Sequence, residues 1–366
     1  MKPVRIGLLG SGFIADLHAH AIRMIPGEME AVAVASPSKG KAAKFARSRG
    51  IPAAYTSLDE MLAQADVDAV AIGIPNDKHC WACETIARAG KHVICEKPLC
   101  VTLAEADRML AACEKAGVLL CYAEELCFAP KYVRAKALVD EGALGRPFLV
   151  KQAEEHDGPH MPWFWDVRRS GGGAMLDMGC HGLEFARWIF GKPTAKRVWA
   201  SLATYVHREK TRGEDHSLLV VEFEDKAGLP QTAMIENSWA KLGGIDDRAE
   251  IYGSMGNTSA DLMKGSALRT YSKVGYGYAA EKAGATTGWT NTNFEEIWNY
   301  GFPQEFAHFA RAIRGKETLL ESGRDGREVL SILWAGYASA GRGERIELPF
   351  RPPAKVKRPI EMWKRI

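Results

Sequence analysis

The segment Val4-Arg5-Ile6-Gly7-Leu8-Leu9-Gly10-Ser11-Gly12-Phe13-Ile14-Ala15 decides the fold. Its first half is a short apolar run of the kind a fully buried strand shows, and it turns through G-x-G-x-x-A into a stretch with helical spacing. In that context each small residue has a task. Gly10 permits a tight turn, Gly12 lets backbone approach a pyrophosphate, and Ala15 allows helix and strand to pack closely. The start of the following helix is then suited to an anion, because its N–H groups and dipole favour negative charge. An ordinary strand-to-helix glycine turn is the alternative, and the βα units that follow favour a dinucleotide. Lys2 and Arg5 ahead of the apolar run imitate a secretory leader. The run is short, glycine-interrupted and leads into Asp16 and His18, so a strand is expected instead.

Outward from this turn, residues 1–123 alternate two periodicities. Short apolar runs at Val4–Leu9, Ala31–Ala35, Ala69–Ile72, His92–Cys95 and Val118–Tyr122 read as buried strands. The segments between them, Phe13–Ile25, Lys39–Arg49, Asp77–Ala89 and Leu103–Ala116, read as helices. That is the pattern of a doubly wound parallel sheet, a Rossmann-type nucleotide domain. The rhythm changes after Pro130. A helix at Lys131–Asp140 leads into Pro147–Glu155, then into Gly171-Gly172-Gly173 and a further helix to about Phe190. Alternating runs at Arg197–His207, His216–Glu224, Gln231–Trp239 and Ala249–Gly253 predict a mostly antiparallel open sheet. Two helices, about Phe302–Arg314 and Asp325–Ser339, and a short strand Arg345–Leu348 close an α+β domain over 124–350. The basic, proline-bearing segment 351–366 reads as an extended surface tail.

Composition excludes several classes. With 366 residues, 46% apolar, 25% charged and a formal net charge of +3, the chain has no field suggesting nucleic acid or a membrane surface. No apolar run approaches the roughly 20 residues of a membrane helix. The eight cysteines all fall between residues 80 and 180, and a chain this long needs no disulfide staples, so reduced thiols and a cytoplasmic setting are expected. Cys80 and Cys83 form a C-x-x-C, but without a second pair at zinc spacing they read as helix-packing thiols.

The residue that would select NAD is missing. An NAD site usually shows an acid roughly 20 residues past the glycine turn, accepting the ribose 2′-OH. Here the second strand ends in Ser36-Pro37-Ser38-Lys39, and no Asp or Glu occurs between Glu30 and Asp59. An acid would repel a 2′-phosphate, whereas a lysine flanked by hydroxyls could hold one. The reading is NAD(P), leaning to NADP, although Lys41, Lys44, Arg47 and Arg49 are also explained as a solvated helix face.

Ile74-Pro75-Asn76-Asp77-Lys78-His79, Ala89-Gly90-Lys91-His92-Val93-Ile94-Cys95-Glu96-Lys97-Pro98-Leu99 and Asp177-Met178-Gly179-Cys180-His181 together resemble the Gfo/Idh/MocA oxidoreductases over nearly the whole chain. The resemblance implies hydride transfer on a sugar, inositol or related polyol, and a sheet domain that forms homodimers or homotetramers. It implies cofactor contacts at Gly10, Gly12, Phe13, Ile14, Ser36, Ser38, Lys39, Pro75, Asn76, His79, Glu96 and Lys97. Lys97 matches the active-site lysine, which can donate to a substrate hydroxyl and polarise a developing alkoxide. Pro98 restricts the backbone of Lys97, which argues for a fixed turn rather than a free surface lysine. His181 matches the general acid/base and Asp177 the substrate-binding acid. Four apart, on a helix these two would share a face, and imidazole is suited to taking the hydroxyl proton. Glu184 continues that face, where a supporting hydrogen bond is expected.

Glu154 to Arg168 is dense in groups that suit a sugar, since aromatic faces cover C–H surfaces while imidazole and guanidinium bind hydroxyls. The resemblance places substrate contacts at or near His156, with Trp163, Trp165 and Arg168 as companions; a loop packed on its aromatics is the plain alternative. His156, His160, Asp177 and His181 could also offer metal ligands. No ligand pair on a regular element is visible at His156 and His160, so no metal is expected. The pair His18 and His20 is discounted because it faces opposite sides of a helix. The leading function is an NAD(P)-dependent dehydrogenase or reductase acting on a hydroxyl or keto group. The alternatives are a redox-neutral NAD-dependent glycosidase working by transient oxidation and elimination, and a non-catalytic cofactor sensor.

Overall fold

Five apolar runs and the short segment Ala53–Tyr55 become parallel strands because each is too short for a helix and helices return the chain between them. In the computed structural model, which describes residues 2–38, 40–263, 268–277, 281–283, 285–292 and 295–364, they appear in the order β1 (Val4–Leu9), α1 (Phe13–Met24), β2 (Met29–Ala35), α2 (Lys41–Arg49), β3 (Ala53–Tyr55), α3 (Leu58–Gln64), β4 (Ala69–Ile72), α4 (His79–Arg88), β5 (His92–Glu96), α5 (Leu103–Ala116) and β6 (Leu120–Ala123). The sheet order is β3-β2-β1-β4-β5-β6, parallel throughout. The order reverses between β1 and β4, the topological switch point beside which doubly wound sheets bind ligands. All of β4 and β6 is buried, as expected of parallel strands covered on both faces.

Contacts divide the chain into two units, Met1–Phe128 with Gly301–Leu330, and Ala129–Tyr300 with Ser331–Ile366. The second unit runs α6 (Pro130–Asp140), β7 (Pro147–Glu155), α7 (Val167–Ser170), α8 (Ala174–Asp177), α9 (Gly179–Ile189), β8 (Ala195–Ala203), β9 (His216–Glu224), β10 (Pro230–Ser238), β11 (Asp246–Gly253), β12 (Gly256–Asp261), β13 (Leu268–Ser272), β14 (Gly288–Thr292) and α10 (Glu296–Asn299). There follow α11 (Phe302–Ile313), α12 (Gly323–Arg342) and β15 (Ile346–Glu347). Phe306 of α11 puts its ring 4.8 Å from that of His18 on α1, which is why this late helix belongs to the first unit.

The sheet of the second unit has the order β12-β11-β7-β10-β9-β8-β15. It is antiparallel except where β7 pairs with β10 in parallel. Strand β9 alternates buried and half-buried residues, the pattern of a sheet with one covered face. The cover is α9, buried along its whole length against β7 and β10. The tail is not wholly on the surface. Pro359 and Ile360 are buried, and the Ile360 N–H donates to the Gly171 carbonyl at 3.2 Å, because an isoleucine there has apolar surface to hide. Among the described residues no helix is long and apolar enough to cross a membrane.

Candidate functional site

The first unit presents its candidate residues at the carboxyl ends of β1, β2, β4 and β5. Gly10 has φ +121°, and a Cβ there would stand 2.3 Å from the Gly73 carbonyl oxygen, so the turn after β1 admits only glycine. Gly12 is the extended residue before α1, and no side chain caps that helix. Phe13 and Ile14 form its first turn. Ser36, just past β2, is buried, and its hydroxyl accepts from Ser11 at 3.0 Å. Ser38 is exposed, and Lys39 lies outside the described residues. Arg49 is occupied by an ion pair with Asp16.

Beyond β4, Pro75 is half-buried and Asn76 buried. His79 is buried with Nε2 2.8 Å from the Ile74 carbonyl and Nδ1 3.1 Å from the Pro98 carbonyl. Burial holds this imidazole below its ordinary pKa, and it ties the loop after β4 to the loop after β5. Glu96 ends β5, buried, with Oε1 2.7 Å from His18 Nε2 and Oε2 accepting from the Lys97 backbone N–H at 3.2 Å. Lys97 is half-buried and joined to Pro98 by a cis peptide. Periodicity discounted His18; only folding reveals that it faces Glu96 from α1. All eight cysteines are free and buried, and Cys83 and Cys113 pack α4 against α5 with sulfurs 3.6 Å apart.

The second unit gathers its candidates at the end of β7 and around α8 and α9. His156 is fully buried, and burial together with the neighbouring His160 pushes it down to about 3. The two imidazole rings lie 5.0 Å apart, edge to face. His160 Nε2 meets Glu281 Oε1 at 2.5 Å, and Lys282 Nζ donates to the carbonyls of Asp157, Gly158 and Pro159 at 3.3, 2.9 and 3.1 Å. Nothing in the sequence spacing links residues 281–282 to this loop. Trp163 stacks on Phe164 at 3.8 Å, and Trp165 stands 4.9 Å from His207 and 5.3 Å from Trp239. Arg168 is exposed and paired with Asp166 at 2.9 Å.

Asp177 closes α8 and His181 lies in the first turn of α9, with Met178 between the two helices; they are not on one continuous helix. Both are buried. Asp177 Oδ2 accepts from the indole N–H of Trp239 at 3.2 Å, a partner 62 residues away that spacing could not reveal. Glu184 is buried in ion pairs with Arg187 and Lys192.

Residues 4–124 match the model of the Gfo/Idh/MocA oxidoreductase family, NAD-binding Rossmann fold, and residues 132–259 match the Gfo/Idh/MocA C-terminal domain. The chain is 27% identical to the myo-inositol 2-dehydrogenase of Thermotoga maritima, over 94% of this chain and 98% of that one. It is 31% identical to D-xylose 1-dehydrogenase (NADP(+)) 2 of Haloferax volcanii, over 88% and 93%. The crystal structure of GenD2 from gentamicin A biosynthesis in complex with NAD superposes with a TM-score of 0.87 at 28% identity, over 96% of this chain and 97% of that one.

Proposed function

The chain belongs to the Gfo/Idh/MocA family of oxidoreductases, and from that premise we propose that it interconverts a hydroxyl and a keto group on a sugar, inositol or related polyol, with Lys97, Asp177 and His181 as its working residues. The observation that carries the reading is the placement of Lys97. It stands directly past the carboxyl end of β5, in a sheet whose order reverses at β1 and β4, with its backbone N–H held by Glu96.

The chain's residues fit a nicotinamide dinucleotide, since any Cβ would fill the cradle at Gly10 and the start of α1 carries no side-chain cap. Gly10, Gly12, Phe13 and Ile14 would hold the pyrophosphate, Ser36, Ser38 and Lys39 the ribose side, and Pro75, Asn76, Glu96 and Lys97 the remainder, with His79 bracing the last two loops. Bound there, the cofactor supplies a hydride acceptor for oxidation or a donor for reduction. The Lys97 ammonium donates to the reacting oxygen and stabilises the charge that develops on it. His181 takes the hydroxyl proton in oxidation and returns it in reduction. Asp177, held by Trp239, binds a substrate hydroxyl, and His156, Trp163, Trp165 and Arg168 supply ring faces and polar contacts for the rest of the sugar.

Two finer readings accompany this one. The absence of any acid from 31 to 58, with the Ser11–Ser36 hydroxyl pair in its place, supports acceptance of both cofactors with NADP the better. The sheet of the second unit supports a homodimer or homotetramer, because Trp199, Val220 and Met234 stand in one cross-strand row where Trp199 and Met234 are exposed. Incubating the protein with NAD or NADP and a panel of polyols, while following absorbance of the reduced cofactor, tests the function. Steady reduction is expected. Glycoside cleavage without net reduction would replace it with elimination chemistry, and binding without turnover would leave a sensor.

A further inference from the structure

Glu214 is fully buried in the segment between β8 and β9. Its Oε1 accepts from the backbone N–H groups of Gly173 and Met175, each at 3.0 Å, and from the Tyr337 hydroxyl of α12 at 2.6 Å. Its own carbonyl accepts from the Ala174 N–H at 3.0 Å. One residue therefore takes three successive N–H groups at the start of α8, whose last residue is Asp177. The glycine run makes this possible. A Cβ on Gly173 would lie 1.9 Å from the Glu214 carbonyl oxygen, and one on Gly172 would lie 2.1 Å from the Tyr337 hydroxyl.

The next residue holds the other side of Asp177. Asp215, also buried, accepts from the N–H groups of Tyr205, Val206 and His207 at 2.7, 2.7 and 2.8 Å, and its carbonyl accepts from the Trp239 backbone N–H at 2.8 Å. Trp239 is the residue whose indole reaches Asp177. The Glu214-Asp215 pair thus grips the backbone turn that carries Asp177 and the backbone of the residue whose indole orients its carboxylate.

We propose that Glu214 is a positioning residue whose carboxylate, anchored in the backbone of the glycine run, holds Asp177 in the geometry that binds substrate. The proposal rests on the functional reading above, in which Asp177 and His181 act on a polyol. An acid inside an apolar unit is costly, and a plain turn would not need one. Burial pushes Glu214 up to about 7 against the pull of Tyr337 and the backbone donors. Among the described residues the titratable groups that face it are Tyr337 from α12 and, through its charge, Lys364 from the C-terminal tail. Hydrogen bonds to an ionised carboxylate are stronger than those to a neutral acid, so protonation near neutrality loosens the turn.

The test uses the indole N–H resonance of Trp239 in 15N-labelled full-length protein, assigned with Trp239→Phe, together with steady-state kinetics. In the wild type the resonance should shift with a midpoint near 7, and in Glu214→Gln, which keeps an acceptor oxygen but cannot ionise, that step should vanish. Glu214→Ala should lower kcat/KM for the polyol roughly tenfold or more, the worth of a charge-assisted hydrogen bond, with cofactor Kd changed less than about twofold. Glu214→Gln, a neutral acceptor, should recover only part of that loss and remove one ionisation from the kcat/KM profile. If Glu214→Ala does not fold, the wild type and Glu214→Gln decide: identical indole titrations and identical pH profiles overturn the proposal. A missing turnover with the indole step intact overturns the functional reading while the positioning stands. Normal turnover with an unmoved indole does the reverse.

Discussion

The indole N–H of Trp239, one residue past β10, donates across 3.2 Å to Oδ2 of Asp177 at the end of α8, with both side chains buried. Trp239 packs against Ala174 and Met178, so the same ring that orients the carboxylate also seals the turn beneath it. Replacing Trp239 by Phe keeps most of the ring and deletes the donor. A hydrogen bond to a charged group is worth about 1.5–3 kcal/mol, so kcat/KM on the polyol should fall about tenfold or more while cofactor affinity stays unchanged. Equal kcat/KM in variant and wild type would show that Asp177 does not need the indole.

Lys97→Ala and His181→Ala should each lower kcat by roughly 100-fold or more, the scale of a lost alkoxide stabiliser or general acid/base. Thermal midpoints and circular dichroism should match the wild type. Full kcat in either folded variant removes that residue from the chemistry.

Ser36→Asp places a carboxylate where the ribose 2′ position is expected, next to the Ser11 hydroxyl that Ser36 now engages. Affinity for NADP should fall and affinity for NAD rise, by about tenfold in their ratio. Side-by-side titrations of cofactor fluorescence check it. A wild type that already prefers NAD strongly would defeat the reading and leave the serines sufficient for an unphosphorylated ribose.

His156 should make the fold acid-sensitive. Burial beside His160 pushes it down to about 3, whereas an unfolded imidazole titrates near about 6.5. Above that value neither state binds the proton and His156 costs nothing. As pH falls below it, the unfolded chain takes a proton that the folded chain refuses, and stability drops by up to about 1.4 kcal/mol per pH unit toward the folded value. Urea denaturation from about pH 7 to about pH 4 should show a shallower loss for His156→Asn than for the wild type. Parallel curves would place the acid sensitivity elsewhere.

Much of the first unit was legible because its signals are local. Strand β1 and the turn at Gly10 are set by a run of apolar residues and by glycines adjacent in sequence, and β1, β4 and α5 fall at the expected residues. Strand β3 and helix α3 escaped notice: Ala53-Ala54-Tyr55 is too short and too alanine-rich to show a period. The β7–β10 pair is parallel inside a mostly antiparallel sheet, and register of that kind leaves no trace in either strand alone.

The site divides along the same line. Sequence by itself determined which chemical groups are available: the glycine turn, Glu96-Lys97-Pro98 after a buried strand, Asp177 and His181 four apart, and a missing acid after β2. Tertiary structure alone decided what holds those groups. His18 meets Glu96 from 78 residues away, Trp239 meets Asp177 from 62, and Glu214 meets Gly173 from 41. The reason is physical. A motif needs only neighbours along the chain, whereas a buried polar atom must find a partner wherever folding brings one, and no periodicity records that choice.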